Sequence, residues 1–239
     1  MTELPPPSFL RRNRYSLLLA ALLLLAFMEP ISQGEYVGQR TFNFILCLVM
    51  AAGAYAVSES KRMLMIALIL GVPTVAATWA EILIRSFWPD FDDTATAVRL
   101  ISQAVFLGFT AGLIMRSVLK GRRVTTDKLA GAAAVYLMLG IVWTQFYALA
   151  ELVEPNSFKS STEGFVLGFG DAEVHKTFSL LMYYSFVTLT TLGYGDIVPV
   201  SNAARSLAWL EAMVGQIYVV VIIARLVGLH VAANEVEKT

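Results

Sequence analysis

The stretch Thr190-Thr191-Leu192-Gly193-Tyr194-Gly195-Asp196 stands in the last fifth of a 239-residue chain. Its two glycines contribute little to an apolar core, because glycine brings no side chain and favours positive φ or close backbone approach. Their value is in the main chain. If alternate residues take opposite-handed dihedrals, the carbonyls of Thr191, Leu192, Gly193 and Tyr194 point to one side. Four such segments around an axis form stacked rings of oxygens.

The surroundings of this stretch are those of a membrane protein. The chain is 57% hydrophobic and only 15% charged, well away from soluble averages. Eighteen basic residues balance eighteen acidic ones, so no overall field points to a nucleic-acid partner. A lone Cys47 excludes an intrachain disulfide and, inside an apolar run, reads as a small buried hydrophobe. His175 and His230 lie far apart with no carboxylate or thiol at ligand spacing, and neither a structural metal nor a cofactor is expected.

Taken in order, the chain opens with a short segment, 1–14, that ends in Arg11, Arg12 and Arg14. A secretory signal begins similarly, but Glu29-Pro30-Ile31-Ser32-Gln33-Gly34 offers no small-x-small cleavage site, so 15–32 reads as a retained helix. Its uninterrupted apolar part, 17–28, is shorter than the roughly 20 residues that span a bilayer. Long apolar stretches follow at 41–57, 63–84, 95–119, 129–152 and 203–229, each suited to a spanning helix. Between the last two, the apolar run 178–189 is too short to cross and suits a re-entrant half-helix.

The segment from about 176 to 229 resembles the pore region of potassium channels. It has an aromatic, Thr-rich run before the Gly-Tyr-Gly, Asp196-x-x-Pro199 after it, and Gly215 at the family's interval beyond Gly195. Thr191, Leu192, Gly193, Tyr194 and Gly195 resemble the selectivity filter, whose carbonyls bind K+; the Thr191 hydroxyl would complete the innermost site. The departure is Leu192 where the family has Val. Both are apolar and would pack behind the filter, so selectivity is expected to survive. A near copy, Leu167-Gly168-Phe169-Gly170-Asp171, has Val166 in place of the filter Thr and polar residues 155–164 before it, and reads as a loop turn.

The resemblance implies an all-α membrane protein with six transmembrane helices, a re-entrant pore helix and a filter loop. Its expected parts are a cytoplasmic N-terminus (1–14), a four-helix sensor-like module (15–120), a cytoplasmic linker (121–128), a pore domain (129–229) and a short cytoplasmic tail (230–239), which leaves no room for a nucleotide- or calcium-binding appendage. One filter per chain implies a homotetramer. The 151–176 connection is either a turret around the pore mouth or an unstructured connector.

Within the pore helix, Tyr183 and Tyr184 match positions that brace the filter, with Thr190 and Asp196 as further support and Tyr184 as the expected donor to Asp196. Val187 stands where some members carry a Glu. Gly215 occupies the family's hinge position, although a glycine in a membrane helix also serves close packing. From it, Gln216, Val219, Ile223 and Val227 fall on one helical face, expected to line the cavity and an apolar inner gate that closes by dewetting. Arg205 suits an interfacial anchor or a contact with an outer-loop carboxylate.

Lys and Arg prefer the cytoplasmic side of a membrane. With both termini inside, Arg11, Arg12, Arg14, Lys61, Arg62, Arg116, Lys120, Arg122, Arg123, Lys128, Arg225 and Lys238 are cytoplasmic, while the outer side holds only Arg40, Arg85, Lys159, Lys176 and Arg205 beside the acidic loops with Asp90, Asp92, Asp93, Glu154, Glu163, Asp171 and Glu173. The protein is expected in the cell (plasma or inner) membrane. Arg116, Lys120, Arg122 and Arg123 read as cytoplasmic anchors and an anionic-lipid patch. Voltage dependence is expected to be weak at most, because the fourth span holds Arg99 and Arg116 near its ends and no basic residue between them. Glu81 and Arg99 are positioned for an interhelical pair. A transporter with four pore loops in one chain would need three more repeats. A membrane enzyme would need a nucleophile–base set, a metal cluster or a phosphate loop, none of which is present in the sequence.

Overall fold

The computed structural model describes residues 13–28, 35–56, 61–88, 91–120, 125–160 and 174–236. Seven helices dominate: α1 Arg14–Met28, α2 Glu35–Ala56, α3 Lys61–Phe87, α4 Asp92–Lys120, α5 Thr126–Val153, α6 Val174–Leu189 and α7 Asn202–Val236. Four of them contain stretches long and apolar enough to cross a membrane, namely Arg62–Glu81 in α3, Asp92–Lys120, Thr126–Val153, and Asn202–Leu229 in α7. Shorter apolar stretches occupy α1 (Arg14–Phe27), α2 (Phe44–Ala56) and α6 (Thr177–Leu189). This is an all-α membrane architecture, as expected from sequence. Residues 1–12 of the expected 1–14 segment, Arg122 and Arg123, and the near-copy loop 167–171 lie outside the described residues.

Helix α5 organises the packing. It packs against α1, α4, α6 and α7, so it is buried along much of its length, with Ala134, Met138 and Tyr147 fully buried in the core. Its start is defined by Thr125, whose hydroxyl accepts from the Lys128 amide at 3.3 Å, as an N-cap does. The next residue but one serves a second helix: Asp127 Oδ1 accepts from the Tyr15 amide, the Ser16 amide and the Ser16 hydroxyl at 3.0–3.1 Å. A carboxylate there satisfies orphan N–H groups of α1 and faces the positive end of its dipole.

Helices α3 and α4 are joined by polar side chains inside an apolar bundle. Arg99 forms the expected ion pair with Glu81. Thr96 donates to the other Glu81 oxygen at 2.7 Å, Arg99 Nη1 to Gln103 Oε1 at 3.4 Å, and Gln103 Nε2 to the Thr78 hydroxyl at 3.1 Å. Each of these groups is nearly inaccessible, so the network answers the cost of burying polar groups in an apolar bundle. Pro73 sits inside α3 without ending it.

Several bounds differ from the sequence reading. Helix α2 begins six residues before 41, α6 begins four residues before 178, and α7 continues past 229 to Val236. The structure also adds a two-stranded antiparallel sheet, β1 Phe158–Ser160 with β2 Ile197–Pro199, in register Lys159 with Val198. Glu151 causes it: the carboxylate accepts from the Asn156 and Phe158 amides at 2.7 and 3.3 Å, and Asn156 takes φ 67°. This turn at the end of α5 aims β1 at the residues that follow Asp196.

Candidate functional site

Residues 190–196 leave the end of α6 in a conformation set by their own dihedrals. Thr191, Gly193 and Gly195 have φ of 59°, 56° and 78°, while Leu192 and Tyr194 between them have negative φ. A left-handed β-branched residue such as Thr191 is costly, on the order of 1–3 kcal/mol, and persists only where its surroundings impose it. Three hydrogen bonds do so here: Thr191 N–H to the Thr188 carbonyl at 2.9 Å, and the Leu192 and Gly193 N–H groups to the Val187 carbonyl at 2.9 and 3.4 Å.

Those bonds fix where the carbonyls go. The peptide bonds of the described residues are trans, and in a trans peptide the C=O points opposite to the N–H of the next residue. The carbonyls of Thr190, Thr191 and Leu192 therefore turn away from α6 to a common side. Among the described residues, no hydrogen bond ends on the carbonyls of Thr191, Leu192, Gly193 or Tyr194. The segment also lies on the surface of the single chain, with the Leu192 and Tyr194 side chains exposed.

Its supports come from α6, α5 and α7. Tyr183 donates to Asp196 Oδ2 at 2.7 Å. This corrects the expectation that Tyr184 is the donor, because Tyr184 instead packs in a three-ring cluster with Tyr147 and Phe158, at centroid distances of 5.1–5.4 Å. Thr190 turns its hydroxyl back to the Phe186 carbonyl at 2.7 Å. Val187, with a carbonyl receiving two N–H groups, supports the segment through its backbone. Arg205 Nε donates to the Pro199 carbonyl at 3.3 Å, which holds β2 rather than an outer-loop carboxylate.

Helix α7 passes Gly215 without a break. A Cβ at Gly215 would collide with the Leu189 carbonyl oxygen and lie 3.0 Å from Leu189 Cδ1, so this glycine is where α7 touches the end of α6. The same Leu189 carbonyl accepts from the Tyr136 hydroxyl of α5 at 3.1 Å. Next in sequence, Gln216 Nε2 donates to the Thr191 hydroxyl at 3.3 Å. Val219, Ile223 and Val227 continue the exposed face that Gln216 begins.

Sequence reasoning missed Glu211, the single acidic residue between 202 and 229. It has no solvent exposure. Tyr147 of α5 donates to its Oε2, and Ser185 of α6 lies 2.5 Å from its Oε1. An ionisable residue inside an apolar span is itself a signal of function, and that signal was present in the sequence.

Residues 135–230 match the family model described as ion channel. That stretch runs from α5 through α7, less than half of the chain, and contains the hydrogen-bond partners of residues 190–196 described above. The match supports an ion-channel domain over these residues. Comparison with curated proteins and with solved structures gave no match.

Proposed function

We propose that the chain is one subunit of a homotetrameric potassium channel and that residues 191–195 are its selectivity filter. The observation that carries this reading is the alternation of φ along Thr191, Leu192, Gly193, Tyr194 and Gly195, with consecutive carbonyls turned away from the α6 hydrogen bonds. Such carbonyls suit a dehydrated monovalent cation. Four copies are required to close the rings, and the exposure of Leu192, Tyr194, Met213, Ile217 and Val220 in the single chain leaves apolar surface for neighbouring subunits or lipid to cover.

In this reading α6 is the pore helix, its C-terminal end pointing a partial negative charge toward the ion path. Gln216, Val219, Ile223 and Val227 line the cavity and inner gate, with Gly215 as the point about which α7 moves or packs. Both termini are cytoplasmic in a cell membrane, and Arg116 and Lys120, with Arg122 and Arg123, contact anionic lipid. No cofactor takes part beyond the permeant K+. Reconstitution into a planar bilayer with recording in opposed K+ and Na+ gradients tests this function. A reversal potential that follows K+ supports it, and one near zero overturns it.

A further inference from the structure

We propose that Glu211 is a neutral carboxylic acid whose proton completes a hydrogen-bonded chain from α7, through Ser185 of α6, to the Gly140 carbonyl of α5, and that this chain positions the pore helix behind the filter. The positioning role rests on the channel reading given above. The protonation follows from geometry alone.

Ser185 Oγ lies 2.7 Å from the Gly140 carbonyl oxygen and 2.5 Å from Glu211 Oε1. Tyr147 meets Glu211 Oε2. These are three oxygen–oxygen contacts at hydrogen-bond distance, and each requires a proton between its oxygens. A serine hydroxyl and a tyrosine hydroxyl supply one each. The Gly140 carbonyl can only accept, and it already accepts from the Thr144 hydroxyl at 2.8 Å. With an ionised carboxylate, Ser185 would serve Glu211 and its oxygen would face the Gly140 oxygen at 2.7 Å with no hydrogen between them. A proton on Glu211 resolves this: Glu211 donates to Ser185, Ser185 donates to Gly140, and Tyr147 donates to the remaining carboxyl oxygen.

The surroundings agree. Among the described residues, the hydrogen-bond partners of Glu211 are these two hydroxyls, and the titratable groups near it are Tyr136, Tyr147 and Tyr184. A buried carboxylate with no cation beside it is penalised heavily in a low-dielectric span. As a neutral acid it becomes a donor and an acceptor in one group. Ser185 is two residues before Val187, whose carbonyl holds the Leu192 and Gly193 amides, so a shift of α6 at Ser185 reaches the filter directly. Glu211 is also one helical turn before Gly215, the contact point with Leu189.

The test uses the full-length chain reconstituted as its native oligomer. Glutamine reproduces the neutral acid, its Nε2 donating to Ser185 and its Oε1 accepting from Tyr147, so Glu211→Gln should keep the wild-type K+/Na+ permeability ratio. Glu211→Leu and Ser185→Ala break the chain and should each lower that ratio about tenfold, the size of one lost buried hydrogen bond. Their double variant should be no worse than either alone, because both remove the same link. Size-exclusion chromatography reports assembly, and Ser185→Ala keeps the test valid if the leucine variant does not assemble. Infrared difference spectroscopy of wild type against Glu211→Gln should show a carboxylic-acid C=O band lost in the variant, a readout independent of conduction. Absence of that band, or a glutamine variant as impaired as the leucine one, overturns the neutral acid. Unchanged selectivity in Glu211→Leu overturns the positioning role. A wild type that conducts without selectivity instead overturns the potassium-selective reading, and the infrared band still decides the proton.

Discussion

The Tyr183 hydroxyl of α6 donates to Asp196 Oδ2 at 2.7 Å, tying the last residue of the 190–196 segment back to the helix that precedes it. Tyr183 is on α6 before the left-handed Thr191, and Asp196 follows the left-handed Gly195, so the bond closes a loop around residues 190–195. The acceptor is a carboxylate, which strengthens the bond, but both groups are accessible in the single chain and water competes for them. Tyr183→Phe should therefore leave the K+ reversal potential unchanged and shorten mean open time several-fold. Single-channel dwell-time histograms decide it, and equal dwell times would show that the bond contributes nothing to filter stability.

Gly193 has φ 56° and nothing within 4 Å of where a Cβ would stand. Within the single chain it is conformation, not space, that constrains this position. Alanine in the left-handed region costs about 1–2 kcal/mol per subunit, and a fourfold ring pays it four times. Gly193→Ala should abolish K+-selective current while the oligomer still assembles. Normal selective current from this variant would place the filter elsewhere, with Gly168 the next position to test.

These two predictions differ in how far the sequence anticipated them. The positive φ at Gly193 and Gly195 was legible because glycine at alternate positions encodes it locally, whereas that of Thr191 comes from the hydrogen bonds to the Thr188 and Val187 carbonyls. The choice between Tyr183 and Tyr184 was not, since neighbours on a helix point about 100° apart and the deciding ring cluster, Tyr147 with Phe158, comes from other elements. Phe158 itself is placed by the Glu151 turn and β1, and a three-residue strand gives no periodic signal. Glu211 was visible as a charge, but its partners Ser185 and Tyr147 lie 26 and 64 positions away. The spans were legible from apolar length, whereas the Asp127 contact with α1 reaches across more than 110 positions and follows from helix packing alone.

Ile223 is 55% exposed on the α7 face that runs from Gln216. If that face lines the inner gate, an apolar constriction there closes by dewetting. Ile223→Ser should hydrate it and raise resting open probability several-fold. Cysteines placed at Ile223 and Val227 should react with thiol reagents added from the cytoplasmic side. Unchanged open probability together with unreactive cysteines would remove both residues from the pore lining.

Gating should depend on voltage only weakly, and the Glu81–Arg99 pair explains why. Arg99 and Arg116 are 17 positions apart, roughly 25 Å along a helix, which sets them near opposite faces of the membrane. Arg99 is further tied to Gln103 and, through Glu81, to Thr96. Even full transit of Arg99 in four subunits would supply only about 9 kcal/mol per 100 mV, against the tens available to true sensors. Breaking a buried pair from one side strands a charge and costs about 3–5 kcal/mol. Arg99→Gln should therefore lower thermal stability, and Glu81→Gln combined with Arg99→Gln should recover most of it. Both the wild type and the double variant should give shallow conductance–voltage curves. A wild-type curve with an effective valence of the order of ten charges would refute this and assign gating charge to helices that act here as a packed scaffold.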